Sequence, residues 1–122
     1  MCIRDSFNGD IIKQMDADKM LSISIEMVKE LRESYILENT KLARTVYKRD
    51  KMLDKLNEVA SYKAIECLDM YPDQRRQTLH ILSIIRKLER IGDQSKNIAE
   101  EIIFYLDAKI VKHKKKDKEE LI

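Results

Sequence analysis

Glycine and proline set the first limit on this chain. Only two of its 122 residues are Gly and one is Pro, far below ordinary usage. A sandwich or barrel needs a turn every few residues, and turns draw on Gly and Pro for their backbone angles. The same scarcity removes Gly-rich phosphate loops, since the only glycines are Gly9 and Gly92. What remains is an all-α chain of a few long helices. Charged residues make up 38% and hydrophobic residues 43%, which suits helices with one buried stripe and one wet face.

Apolar spacing then predicts three helices. The first covers 16–37, where Leu21, Ser24, Val28, Leu31 and Tyr35 recur at steps of three and four, widened by Met20, Ile23 and Met27. Glu38, Asn39 and Thr40 break the pattern, and Asn39 or Thr40 is a natural N-cap for the next helix. The second helix covers 41–70, with Val46, Leu53, Ala60 and Cys67 at intervals of seven and Leu42, Leu56 and Ala64 beside them. Tyr71-Pro72-Asp73 ends it, because Pro stops one helix and suits the first turn of another. The third helix covers 73–109. Ile81, Ile85, Leu88, Gly92, Ser95, Ala99, Ile102 and Leu106 form its seam, and Ile84, Ile91, Ile98 and Tyr105 a second line beside it.

Two adjacent lines let one helix meet two neighbours, so the expected architecture is an antiparallel three-helix bundle with short loops. Three regions follow: a leader or linker over 1–15, the bundle over 16–113 and a charged tail over 114–122. The first residues carry no period and look like a read-through leader, with the natural protein beginning upstream. The Lys-rich tail reads as a frayed, solvated terminus.

Several functions are disfavoured. Basic and acidic residues nearly cancel, at 24 against 22, without the excess that marks nucleic-acid binding. No apolar run is long enough to span a membrane. Cys2 and Cys67 do not suggest a disulfide framework, which points to the cytoplasm. His80 and His113 are isolated from other metal-ligating residues. A bundle enzyme acting on an anion would need Arg86 or Arg90 in a pocket, whereas both flank the third-helix seam.

Two acidic pairs stand out by spacing. Asp50 and Asp54 lie four residues apart on the second helix, and Glu89 and Asp93 four apart on the third, with Asn97 one turn further. Side chains at this spacing are neighbours on one face, and two like charges so placed repel. A hard cation would turn that repulsion into ligation. Wet faces neutralised by nearby bases are the competing reading, with Arg86 and Lys96 available to Glu89 and Asp93. Glu26/Glu30, Asp54/Glu58 and Asp69/Asp73 share the spacing. Gly92 falls in the seam beside Ser95 and Ala99, three small residues that let a neighbouring backbone approach.

The run Leu88-Glu89-Arg90-Ile91-Gly92-Asp93, followed by Asn97-Ile98-Ala99-Glu100-Glu101, resembles the signature of the PhoU family of phosphate-uptake and phosphate-signalling regulators. Asp50 and Asp54 stand where that family's first acidic motif lies, and His113 resembles the family's C-terminal end. The likeness covers 20–113 and one three-helix repeat, similar to the C-terminal of the family's two. Gln94 and Ser95 depart from the His and Ala the family often carries there.

The resemblance implies a cytoplasmic, often dimeric regulator that is not an enzyme and dampens the phosphate-starvation response. It implies contact with the ATPase of a phosphate transporter and with a phosphate sensor histidine kinase. It also implies a multinuclear iron or zinc site on the bundle surface, with Asp50, Asp54, Glu89 and Asp93 as ligands and Asn97 as a weaker fifth. The alternative is a helical interaction module with no metal and no phosphate role.

Overall fold

The computed structural model describes residues 7–120, with side chains described to residue 115. Four α-helices follow one another: α1 (Gly9–Gln14), α2 (Ala17–Ile36), α3 (Thr40–Met70) and α4 (Arg75–Glu120), the last entered through a 3-10 turn at Pro72–Gln74. The described residues contain no strand. The three long helices all pack against one another. Short connections make α2 and α3 antiparallel, and α3 and α4 likewise, so α2 and α4 run parallel.

The boundaries have local causes. Asn39 caps α3, its side-chain oxygen accepting from the Leu42 N–H at 3.2 Å, as its residue type leads one to expect. Asp16 (φ 59°) and Glu38 (φ 51°) take left-handed backbone angles at the two ends of α2. Each is tied to a long helix by an ion pair, Asp16 to Lys63 on α3 and Glu38 to Lys109 on α4. Pro72 opens the 3-10 turn, where its missing N–H costs nothing.

The α3 and α4 seams form as their spacing predicts. Val46, Leu53, Ala60 and Cys67 are fully buried, and they meet Ile81, Ile85, Leu88, Ala99, Ile102 and Leu106 in one core. Gly92 and Ser95 are buried on the same line.

The α2 register differs from the expected one. The buried stripe is Met20, Ile23, Ser24, Met27, Leu31 and Ser34, whereas Leu21, Val28 and Tyr35 are exposed. Two overlapping apolar stripes compete on this helix, and the one carrying both fully buried methionines wins. Its serines fit because each hydroxyl donates to its own helix, Ser24 to the Met20 carbonyl and Ser34 to that of Leu31, both at 2.8 Å.

Residues 7–15 are also more than a linker. Asn8 caps α1, and Ile11 and Met15 are fully buried in the core. Residues 1–6, to which most of the read-through reading applies, lie outside the described residues. At the other end α4 runs on to Glu120 instead of stopping at 109 and fraying. Lys and Glu are good helix formers, and extending an existing helix needs no new nucleus.

Among the described residues the second α4 line stays uncovered. Ile84, Ile91, Ile98 and Tyr105 are exposed beside Leu21, Val28 and Tyr35 of α2. Between them runs an apolar groove of about 730 Å³ lined by Val28, Leu31, Ile98, Ile102 and both tyrosines, with Arg32, Asn97 and Glu101 also on its walls. Among the described residues no helix is long and apolar enough to cross a membrane.

Candidate metal centre

Asp50 is the one aspartate carried into the buried stripe of α3. It lies four residues after Val46 and three before Leu53, in phase with the core. It is only 4% exposed, and its Oδ1 has no hydrogen-bond partner among the described residues. A buried polar atom left unpaired costs on the order of 1–3 kcal/mol, more when the group is charged. Asp54, one turn on, is exposed at the edge of the same face.

The packing of α3 against α4 then brings a third carboxylate across. One oxygen each of Asp50, Asp54 and Asp93 lie within 4.8 Å of one another. Glu89, one turn before Asp93, is half-buried, and its carboxyl feels the charges of Asp93, Asp54 and Asp50. The two acidic pairs on separate helices thus form one cluster.

Asn97 does not belong to this face. It lines the groove toward α2. Four residues advance a helix by about 40° beyond a full turn, and from Asp93 that step leads away from α3. Gly92, Ser95 and Ala99 lie in the seam itself, all buried.

Electrostatics separate this cluster from an ordinary wet face. Burial first, and then the charges of Asp54 and Asp93, push the Asp50 carboxyl above its usual range, with Lys96 opposing. Burial and the surrounding carboxylates, Asp93 foremost, raise Glu89 in the same way. Tyr47, one turn before Asp50, is raised by burial and by Glu100, against Lys96 and Arg44. Among the described residues none of the four carboxylates forms an ion pair.

Of the two bases expected to neutralise them, Arg86 turns to α3. It donates to the Asn57 carbonyl at 2.9 Å, to the Asn57 side chain and to the Ser61 hydroxyl at 2.6 Å. Arg90 is exposed. Glu30, which shares the four-residue spacing with Glu26, instead accepts from Arg49 at 2.6 Å and from Thr45 at 2.9 Å. It is therefore a neutralised acid.

The donor set fits a metal. Carboxylate oxygens bind a divalent ion at about 2.0–2.2 Å, so two on one ion stand at most about 4.4 Å apart. The observed spread of up to 4.8 Å is a few tenths of an ångström wider, within reach of small side-chain rotations. A cation would also satisfy the orphaned Asp50 oxygen. An all-oxygen set with no His or Cys suits hard ions and lacks the nitrogen and sulfur donors typical of zinc sites.

Fold and site together define an all-α bundle with a carboxylate cluster between two of its helices. Comparison with known proteins narrows this. A family model described as the PhoU domain matches residues 17–102, and the chain belongs to the PhoU family. A phosphate-specific transport system accessory protein PhoU homolog 1 of Thermotoga maritima is 38% identical over 98 residues, covering 78% of this chain and 42% of the relative. The corresponding PhoU homolog of Pseudomonas aeruginosa is 31% identical over 88 residues, 72% of this chain and 36% of the relative. That of Aquifex aeolicus is 31% identical over 88 residues, with 70% and 40% covered. The chain thus spans about two fifths of the length of these relatives. No solved structure matches it.

Proposed function

We propose that this chain is a PhoU-type regulatory unit of phosphate transport and the phosphate-starvation response. It acts by protein contact and by binding a multinuclear metal on the α3/α4 face, and it is not an enzyme. The carrying observation is the buried Asp50 oxygen, which has no partner among the described residues, in a three-carboxylate cluster that no ion pair among them neutralises. Asp50, Asp54 and Asp93 would hold the metal, with Glu89 completing the set. The bound cation would neutralise their mutual repulsion and tie α3 to α4.

The partners in this reading are the ATPase of a phosphate transporter, a phosphate sensor histidine kinase and a second copy of the chain, all engaged at the cytoplasmic side. Two features support it: the naming of the relatives as accessory proteins of phosphate-specific transport, and the exposed apolar line along α2 and α4. The same line also favours the second reading, a contact module with no metal, because it needs no carboxylate.

The reading is tested in the source organism with a phosphate-starvation reporter. Deleting the gene should raise reporter output in phosphate-replete medium. The wild-type gene should restore repression, and an Asp50→Ala, Asp54→Ala, Glu89→Ala, Asp93→Ala version should not. Unchanged output on deletion contradicts the regulatory role. Full restoration by the quadruple variant contradicts the metal's part in it and leaves the contact module standing.

A further inference from the structure

Gly92 stands where the two halves of the carboxylate cluster meet. It is buried in the α4 seam, directly before Asp93 and opposite Asp50 and Leu53 of α3. A Cβ at this position would lie 3.1 Å from Asp50 Oδ1 and 2.7 Å from Leu53 Cδ1. The Leu53 contact is closer than packed atoms come, and the Asp50 contact is tight enough that the carboxylate must give by a few tenths of an ångström. Leu53 is fully buried, and its methyl would have to shift within the core. The Asp50 oxygen that would be struck is the one with no hydrogen-bond partner among the described residues.

We infer that Gly92 is a positioning residue for the metal: its missing side chain lets the Asp50 carboxylate of α3 lie close beside Asp93 of α4. The inference rests on the metal reading above. A methyl at position 92 can be accommodated in two ways. Either the Asp50 carboxylate rotates outward, or α3 and α4 spread. Both shift the Asp50 oxygen relative to Asp93, in a cluster whose oxygens must already close by a few tenths of an ångström to share one ion. Close packing alone explains why a small residue sits here. It does not explain why the backbone approaches at the orphaned oxygen of a buried acid.

The experiment is anaerobic Fe2+ titration by calorimetry of the full chain, with far-UV circular dichroism to check helicity. Supporting shells of metal sites typically contribute ten- to hundredfold in affinity, so Gly92→Ala should bind Fe2+ at least about tenfold more weakly than wild type. A second variant guards against misfolding. Leu53→Val removes the Cδ1 contact and leaves only the Asp50 one. Gly92→Ala in that background should weaken Fe2+ binding by a similar factor relative to Leu53→Val alone. In an Asp50→Ala background, Gly92→Ala should have no further effect, because the ligand it positions is gone.

Fe2+ affinity within twofold of wild type in a helical Gly92→Ala protein overturns the inference and leaves the metal reading standing. So does an equal fold-loss in the Asp50→Ala background, which would show general loosening of the helix pair. Absence of Fe2+ binding by wild type itself overturns both, and is recognised before any substitution is made.

Discussion

Replacing Asp50 by Asn should make the metal-free protein more stable and the metal-loaded protein less so. The substitution keeps the shape of the side chain and removes its charge. In the metal-free state Asp50 faces two carboxylates whose oxygens lie within 4.8 Å. A pair of unit charges at that distance repels by about 0.9 kcal/mol in a water-like dielectric and about 3.5 kcal/mol at an effective value of 20. Asp54 and Asp93 are exposed and Lys96 opposes part of the field, which favours the lower figure. The asparagine amide can also donate to either neighbour.

A gain of about 1–3 kcal/mol at pH 7 and low salt is therefore expected, equivalent to a Tm rise of about 3–6 °C per kcal/mol for a chain of this size. With Fe2+ at a hundredfold excess over its Kd, wild type gains about 2.7 kcal/mol by mass action, and the Asn variant should lose most of that. Thermal melts with and without anaerobic Fe2+ should thus cross over. A variant that is less stable without metal, yet still gains the full Fe2+ increment, would refute both the repulsion and the ligation.

Three further outcomes follow from the same structure. The Asp50 and Glu89 carboxyls are held above their ordinary range, so the folded state binds protons that the unfolded state has already released. Their contribution is then most favourable below the ordinary carboxylate range and declines as pH rises through the raised folded values. The metal-free stability gap between wild type and Asp50→Asn should accordingly be small near pH 3 and widen toward pH 7; a gap independent of pH contradicts the raised carboxyls. Met15→Ala should cost about 2–5 kcal/mol in urea unfolding, since Met15 is fully buried; a loss under 1 kcal/mol would show that α1 is not part of the core. Arg86→Ala removes the donor to Asn57 and Ser61 and should cost about 1–3 kcal/mol while leaving Fe2+ affinity unchanged; a large affinity loss would place Arg86 at the metal site instead.

Much of the fold was legible because α3 and α4 each carry one dominant stripe. The seven-residue spacing of Val46, Leu53, Ala60 and Cys67 has no competitor on its helix, and all four are buried. On α2 two stripes of similar strength overlap, and only packing against the other helices decides between Leu21–Val28–Tyr35 and Met20–Met27–Ser34. The six residues of α1 are too few to show a period. The continuation of α4 through its Lys-rich end is a matter of propensity, to which an apolar pattern is blind.

The candidate site divides in the same way. Spacing alone placed Asp50 beside Asp54 and Glu89 beside Asp93, but it placed Glu26 beside Glu30 equally well. What distinguishes them is tertiary. Glu30 meets Arg49, whereas Asp50 meets Asp93 and no base pairs with either among the described residues. One signal in the sequence does bear on this: Asp50 is in phase with Val46 and Leu53, and so is directed to the core while Asp54 is not. Asn97 shows the limit of the one-turn rule, since a further step of four leaves the α3 side of α4.

The most direct measurement is metal content by elemental analysis after anaerobic loading with Fe2+ and desalting. Wild type should retain Fe2+ in a defined ratio to chain. The Asp50→Ala, Asp54→Ala, Glu89→Ala, Asp93→Ala protein should retain almost none while keeping the far-UV spectrum of a helical bundle. Equal iron in the two proteins, or none in wild type, would contradict the assignment of the α3/α4 carboxylates as a metal centre.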